Sequence, residues 1–380
     1  MDFELSEEQV VLREAVRDFL ARRWDAAHMR RALDDPPALI PAELWKEMGS
    51  LGWIGIATAE DVGGSGSDVL TASVLAEESG RGLLPATLSS VIAAATAIDR
   101  GGDALRTSVL PALCAGDHRV VCAIEEPGGT WGPDAVTLEA SAGADGWVLS
   151  GTKILVPDTE GADLCLVAAR TPAALGFVTV PTDAPGVTVT PMRRLDAQSI
   201  AEVTFDGVVV PATALVGGPE RAEKTLRATY DIWTVLGAAD LLGVAETALE
   251  MTTAYAKERT QFGRPIGSFQ AVSHRLADLL VDVEISRSLL YAACLALDED
   301  QADASALVSA AKAFASDTAV RATEAAVHLH GGIGFTWDLD VHLYLRRARA
   351  GAASLGDPDF HRDRVARALG RDRTDQDERR

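Results

Sequence analysis

Positive charge is the first thing this sequence lacks. Its 35 Lys and Arg stand against 56 Asp and Glu, a net charge of −21, which argues against nucleic acid or an anionic membrane as a partner. Cysteine is also scarce. The four, at positions 114, 122, 165 and 294, fall at neither metal-ligand nor disulfide spacing, so buried thiols in a reducing compartment are expected. No uncharged apolar run approaches the ~18 residues of a membrane span. The opening Met1-Asp-Phe-Glu-Leu-Ser6 has neither the basic nor the apolar region of a signal peptide, and a cytoplasmic protein is expected. An acidic chain that binds a polyanion needs a local basic patch, and Arg346, Arg347 and Arg349 offer one candidate.

What is present is ordinary globular material. The 380 residues, 47% hydrophobic and 24% charged, suffice for two or three domains with sizeable cores. Ser6-Glu-Glu-Gln9 forms a capping box, with Leu12, Val16, Phe19 and Leu20 following at helical spacing. Helical patterns recur near 41–50, 68–82, 87–100 and 103–115. Near residue 119 the period drops towards 2. Seven short β-branched segments follow: Val120–Glu125, Val136–Ser141, Trp147–Ser150, Leu164–Ala168, Gly176–Val180, Val187–Thr190 and Ala201–Val209. Asp145-Gly146 suits a hairpin turn, and the spacing predicts a small antiparallel sandwich or barrel. Helical periodicity returns at 219–259, 268–298, 303–329, 340–348 and 358–369, as in an antiparallel bundle. The last ten residues contain nothing apolar and read as a frayed tail. The expected division is 1–118 all-α, 119–216 β, 217–370 helical bundle and 371–380 tail.

Between two of the long helices, Gly263, Pro265 and Gly267 interrupt the pattern within five residues, marking a tight connection. Arg259 and Gln270 flank it. A guanidinium presents a planar fork of donors suited to phosphate, and an amide both donates and accepts. Taken alone, this is a helical hairpin with an exposed Arg and a capping Gln. His328, His330 and His342 lack a carboxylate or Cys at ligand spacing, so no metal site is expected there.

The stretch Arg259-Thr-Gln-Phe-Gly-Arg-Pro-Ile-Gly-Ser-Phe-Gln270 resembles the R-x-Q-F-G-x-P-I-x-x-F-Q segment of acyl-CoA dehydrogenases. His328-Leu-His-Gly-Gly-Ile-Gly-Phe335 resembles that family's Q-x-x-G-G-x-G-[YF] turn. Leu51-Gly-Trp-Ile-Gly-Ile56 with Glu60-Asp-Val-Gly-Gly-Ser-Gly66 resembles its N-terminal signature. The similarity runs in order over roughly residues 3 to 370. It implies an α+β three-domain fold: an all-α N-terminal domain, an antiparallel β middle domain and a C-terminal four-helix bundle. It also implies desaturation of an acyl-CoA thioester, in which a carboxylate takes the α proton and FAD takes the β hydride.

The resemblance assigns Arg259, Phe262, Gln270, His328, Gly331 and Gly332 to the distal part of an FAD shared across a subunit interface. The ring-side motifs depart from the family. Its T-E-P-x-x-G-S-D run corresponds to Glu125-Glu-Pro-Gly-Gly-Thr-Trp-Gly-Pro-Asp134, with Glu125 at the Thr position. Its G-x-K-x-W-I-[TS] corresponds to Gly151-Thr-Lys-Ile-Leu-Val-Pro157, with Leu155 for the Trp and Pro157 for the hydroxyl residue. The two usual base positions fall on Leu355 and Trp233, and Thr234 takes the place of an Arg that helps position the ligand. Asp357 and Asp231 lie two residues away. About 200° of helical rotation separates Asp231 from Trp233, which leaves Asp357 as the candidate carboxylate. Asp240, one turn before Gly243, reads as a polar residue of the bundle.

Positions facing the chain's own flavin and acyl group have changed, whereas most that reach a neighbour's site remain. This pattern is similar to the heteromeric acyl-CoA dehydrogenases of actinobacteria, some of which act on steroid side chains. It implies a base-less subunit in a heterotetramer with a paralogue, binding acyl-CoA thioester and FAD. Two alternatives stand beside it: a self-sufficient homotetrameric dehydrogenase with a displaced carboxylate, and a flavin-free protein of the same fold.

Overall fold

The computed structural model describes residues 5–35, 37, 39–144 and 146–377. Six helices open the chain: α1 (Glu7–Arg23), α2 (Ala26–Asp34), α3 (Ala42–Ser50), α4 (Val69–Arg81), α5 (Thr87–Gly101) and α6 (Asp103–Cys114). Seven strands follow: β1 (Val120–Ala123), β2 (Glu139–Ala142), β3 (Trp147–Pro157), β4 (Leu164–Arg170), β5 (Leu175–Pro181), β6 (Val187–Met192) and β7 (Ile200–Val210). The chain ends in α7 (Gly218–Glu258), α8 (Gln270–Asp298), α9 (Ala304–His330), α10 (Val341–Ala352) and α11 (Pro358–Asp377). The three-domain order expected from the sequence is present. α2 was not expected, and α11 carries helix into the stretch read as a frayed tail, whose last three residues lie outside the described residues. Asp145 of the expected hairpin turn also lies outside them; the Gly143 N–H reaches the Gly146 carbonyl at 2.7 Å beside it.

Two compact units emerge. One comprises residues 30–72 and 85–233 and is built around the sheet. Strand order is β1-β4-β2-β3-β7-β6, with β5 also paired to β4. Most pairs are antiparallel, but β1 runs parallel to β4, Val120 opposite Leu164, and β2 meets β4 in parallel at Glu139 and Arg170. Alternation places Val121, Leu138, Leu149, Val167 and Phe205 in one apolar core. β3 carries two register shifts, the second between Lys153 and Val156, where Leu155 takes a positive φ of 55°. Bulges of this kind turn a strand and re-aim its side chains.

The other unit comprises residues 5–29, 73–84 and the chain from 234 onward. Its centre is α9, packed against α8, α10 and α11. The buried face of α9 is small (Ala311, Ala315, Ala319, Ala322 and Ala326), so neighbouring helices approach closely. α4 crosses α7 more tightly still. A Cβ added at Gly80 would stand 2.0 Å from the Asp240 carbonyl oxygen, and one at Gly243 would stand 2.0 Å from that of Glu77. Ion pairs surround the crossing: Arg287 to Glu77 at 2.6 Å, Arg17 to Glu78 at 2.7 Å, and Arg81 to Glu246 at 2.6 Å. α7 is long and apolar enough to cross a membrane, but 78% of its most apolar window is buried within the chain. All four cysteines are free and buried.

Candidate functional site

The α7–α8 connection is a small hairpin. Thr260–Gln261 pairs with Arg264–Pro265, and Phe262 and Gly263 between them both have positive φ, 52° and 78°. Two successive positive φ values are what a two-residue turn needs to match strand twist. The cost of that conformation at Phe262 is borne by a side chain that is 93% exposed. The hairpin is anchored on both sides. The Arg259 N–H donates to Tyr255 O at 2.8 Å, the Ile266 N–H donates to Arg259 O at 2.8 Å, and the Arg264 guanidinium lies 4.1 Å above the Phe269 ring. Arg259 and Gln270, the first residue of α8, are both exposed.

Tyr255 joins this hairpin to the glycine turn. Its ring stacks on His330 at 4.4 Å, and its hydroxyl reaches the His330 carbonyl at 3.4 Å. His330 is buried, with Nδ1 2.7 Å from the Ala326 carbonyl, while His328 faces outward. Gly331 has a φ of 67°, and Gly332 has neither a positive φ nor any atom within 4 Å of where a Cβ would stand. The local fold therefore has no need of glycine at 332. A ligand drawn against the backbone N–H groups does. The sequence-derived set Arg259, Phe262, Gln270, His328, Gly331 and Gly332 is thus gathered on two adjoining segments. Tyr255 was missed by sequence reasoning, although its place one turn before Arg259 puts both on one helix face. From 257 to 275 the chain holds Lys257, Arg259, Arg264 and Arg275 against the single acid Glu258, a local excess of cations in an acidic protein. These residues fit the pyrophosphate end of a dinucleotide.

The ring-side segments do not fit a flavin. Glu125 is buried, with Oε1 unpartnered, and burial pushes its carboxyl up to about 7 against the opposing Gly132 N–H and Lys153 charge. The neighbouring Glu126 serves the fold: it accepts from Lys153 Nζ at 2.6 Å and from the N–H groups of Thr137 and Leu138, each at 2.9 Å. Lys153, fully buried, also donates to Ile124 O at 2.9 Å. Leu155 offers an aliphatic side chain on the bulge, and Pro157 has no N–H. A flavin's polar edge needs donors; neither side chain can donate, and Pro157 lacks a backbone N–H as well.

At the two positions that the resemblance assigns to a base, Leu355 and Trp233, there is no carboxylate. Leu355 is buried at φ 58°; His361 Nε2 donates to its carbonyl at 2.9 Å, and a Cβ at Gly237 of α7 would lie 3.6 Å from its Cδ1. Lys312, buried, donates to Ser316 Oγ and Gly351 O at 3.1 Å and to Gly356 O at 3.4 Å, so a cation fixes the loop that carries Leu355. Burial, with the Lys312 charge beside it, lowers His361 to about 3, so its imidazole is neutral. Asp357, the candidate carboxylate, is exposed and accepts from the Phe360 N–H at 2.8 Å, capping α11. Trp233 is half-buried, and Asp231 and Thr234 are buried.

The basic patch expected at 346–349 is not there. Arg347 is buried and bidentate to Asp240, Nε to Oδ2 at 2.9 Å and Nη2 to Oδ1 at 2.6 Å, and Nη2 also reaches Leu84 O at 2.9 Å. Arg349 pairs with Glu324. Helical periodicity turns Arg347 about 100° away from the face that Arg346 and Arg349 share, which their proximity in sequence conceals.

A β domain between helical domains, with a two-segment anion cradle at the head of the bundle, defines a flavin-dependent dehydrogenase fold. The chain belongs to the acyl-CoA dehydrogenase family: the family's N-terminal, middle and C-terminal domain models match residues 6–117, 122–208 and 235–370. A probable acyl-CoA dehydrogenase, YngJ of Bacillus subtilis, is 32% identical over 386 residues, covering 97% of this chain and all of that one. Among solved structures, a Tcur3481-Tcur3483 steroid ACAD variant is 34% identical with a TM-score of 0.88, covering 97% and 99% of the two chains. The ChsE4-ChsE5 complex of Mycobacterium tuberculosis is 31% identical with a TM-score of 0.89, at the same coverage.

Proposed function

We propose that this chain is the base-less subunit of a heteromeric acyl-CoA dehydrogenase, with domains dividing near 118 and 216. It would complete an FAD site whose ring half and carboxylate belong to a paralogous partner. The observation that carries this reading is an asymmetry. The cradle formed by Arg259, Phe262, Gln270, His328, Gly331 and Gly332 is open and exposed, while Leu355 occupies the base position and Glu125, Leu155 and Pro157 the ring-side positions. In this role Arg259 pairs with phosphate oxygens, Gly331 and Gly332 admit them to the backbone, and Phe262 inserts into the partner. Bound FAD supplies the hydride acceptor. The chain's own contribution is retention and orientation of its distal end. Two similar solved proteins support the reading, since one is a complex of two differently named chains and the other is a steroid ACAD.

The test is flavin absorbance per polypeptide together with native mass, on the chain alone and co-expressed with a base-containing paralogue. Alone it should be colourless and inactive with acyl-CoA and an artificial acceptor. Co-expressed, it should form a mixed oligomer with one FAD per pair. A yellow homotetramer that turns over an acyl-CoA would overturn the proposal, and Asp357→Asn would then be the variant to make.

A further inference from the structure

Glu125 is a buried carboxylate whose facing cation is committed elsewhere. It stands two residues beyond β1, 8% exposed, and its Oε1 has no hydrogen-bond partner. The Gly132 N–H donates to this carboxylate from across the loop, and burial holds the group up at about 7. The charged groups around it are engaged. Lys153 of β3 gives its ammonium to Ile124 O at 2.9 Å and to Glu126 Oε1 at 2.6 Å. Glu126 also accepts from the N–H groups of Thr137 and Leu138. Cys165 of β4, which faces Lys153, is pushed up to about 12 by burial and stays neutral.

The loop that Glu125 holds is a strap tied at both ends. Glu126 fixes one end to Lys153, and Asp134 fixes the other to Arg227 at 2.7 Å. Between them Pro127, Gly128, Gly129 and Thr130 are exposed, and a Cβ at Gly128 or Gly129 would meet nothing within 4 Å. Gly128, Gly129 and Gly132 have positive φ, 129°, 74° and 78°. A run so rich in glycine turns about its backbone at little steric cost. The Ile154 N–H donates to the Glu125 carbonyl at 2.9 Å, so the Glu125 backbone stays on β3 whatever its side chain does. Free hinges and fixed ends therefore meet at one hydrogen bond, to a carboxyl whose charged form is costly to bury without a cation.

We propose that Glu125 is a proton-operated latch on the β domain. While it is protonated, the strap from Pro127 to Gly132 lies closed on it; when the proton passes to solvent, the strap lifts and water reaches the carboxylate. In the lifted strap the carboxyl is hydrated and titrates at its ordinary 4.5. The opening equilibrium therefore climbs about tenfold per pH unit between about 4.5 and 7 and levels off above 7, roughly 300-fold in all.

The test is hydrogen exchange of the full chain between pH 5 and 8. It is read by mass spectrometry on a peptide spanning residues 126–134 and corrected for the pH dependence of intrinsic exchange. Wild-type protection should fall about tenfold per unit from pH 5 to 7 and change little from 7 to 8. Dilute urea should leave it unchanged, because a local opening exposes little surface. Glu125→Gln keeps an acceptor without a charge, and should hold the pH 5 protection throughout. Asp134→Asn cuts the tie to Arg227, and should lower protection by one factor at every pH while keeping the slope. A slope that survives Glu125→Gln, or one that Asp134→Asn abolishes, would overturn the inference. So would wild-type protection independent of pH, or wild-type exchange that quickens with urea, and these two readings need no variant to fold.

Discussion

Removing the Asp240 carboxylate while leaving Arg347 in place tests whether Arg347 is a structural cation or a ligand-binding one. The Arg347 side chain is only 2% exposed and spends two bonds on Asp240. Charge-assisted bonds of this length each contribute roughly 1.5–3 kcal/mol. Breaking a buried pair by deleting one partner costs about 3–5 kcal/mol, because the other charge stays behind without compensation. Asp240→Ala should therefore cost about 3–5 kcal/mol in urea unfolding of the lone chain, seen as a lower midpoint at an unchanged slope. The double variant Asp240→Leu/Arg347→Met should recover most of that loss, since apolar groups of similar volume often replace such a pair at little cost. A loss below about 1 kcal/mol for Asp240→Ala, or a double variant no better than the sum of the singles, would refute the reasoning. So would an Arg347→Met protein of normal stability whose only defect is weaker acyl-CoA binding.

Further outcomes follow from other sites. Glu125 has its folded pKa raised to about 7 from an unfolded 4.5, so its contribution to stability is intact below 4.5 and is lost as pH rises to 7. Glu125→Gln should flatten the stability profile between those values and stabilise the chain at pH 8 by roughly 3 kcal/mol, the shift converted at 1.36 kcal/mol per unit. A wild-type profile without that slope would contradict the assignment. Gly243→Ala should destabilise strongly, because its Cβ would meet the Glu77 carbonyl at 2.0 Å, and α4 must shift to relieve it. Normal melting of that variant would show that the crossing is looser than described. Arg259→Ala, assayed in the intact complex, should lower retained FAD, with a loss worth ~1.5–3 kcal/mol of binding. Unchanged flavin content would count against a shared site.

The fold was legible wherever periodicity was uninterrupted. The seven strands and five C-terminal helices lie where alternation and helical spacing put them, since each buries one face. α2 escaped notice because its sequence, Ala26-Ala-His-Met-Arg-Arg-Ala-Leu-Asp34, spans too few turns to set a clear period, although Pro36-Pro37 just beyond it is a stop signal. The parallel β1–β4 pair was invisible for a different reason: pairing direction depends on strands 44 residues apart, and no local residue encodes it. At the candidate site, the motif residues could be found by their spacing. The roles of Asp357 and Arg347 could not, because a cap and a buried ion pair depend on which partner the fold brings near. Glycines needed for sterics look the same in sequence as Gly332; only the surrounding atoms distinguish them.

Phe262 carries a consequence for the chain in solution. It projects from the hairpin almost wholly bare, and Phe335 and Trp337 at the glycine turn are also more than half exposed. Exposed apolar tips favour contact in water, and the −21 charge of each copy opposes it. That repulsion reaches only about 10 Å at 0.1 M salt and ~3 Å at 1 M. Apolar contact between the tips survives the same change. Raising ionic strength therefore weakens the force that opposes contact between copies and leaves the one that favours it, so self-association of the chain, read as native mass, should rise with salt.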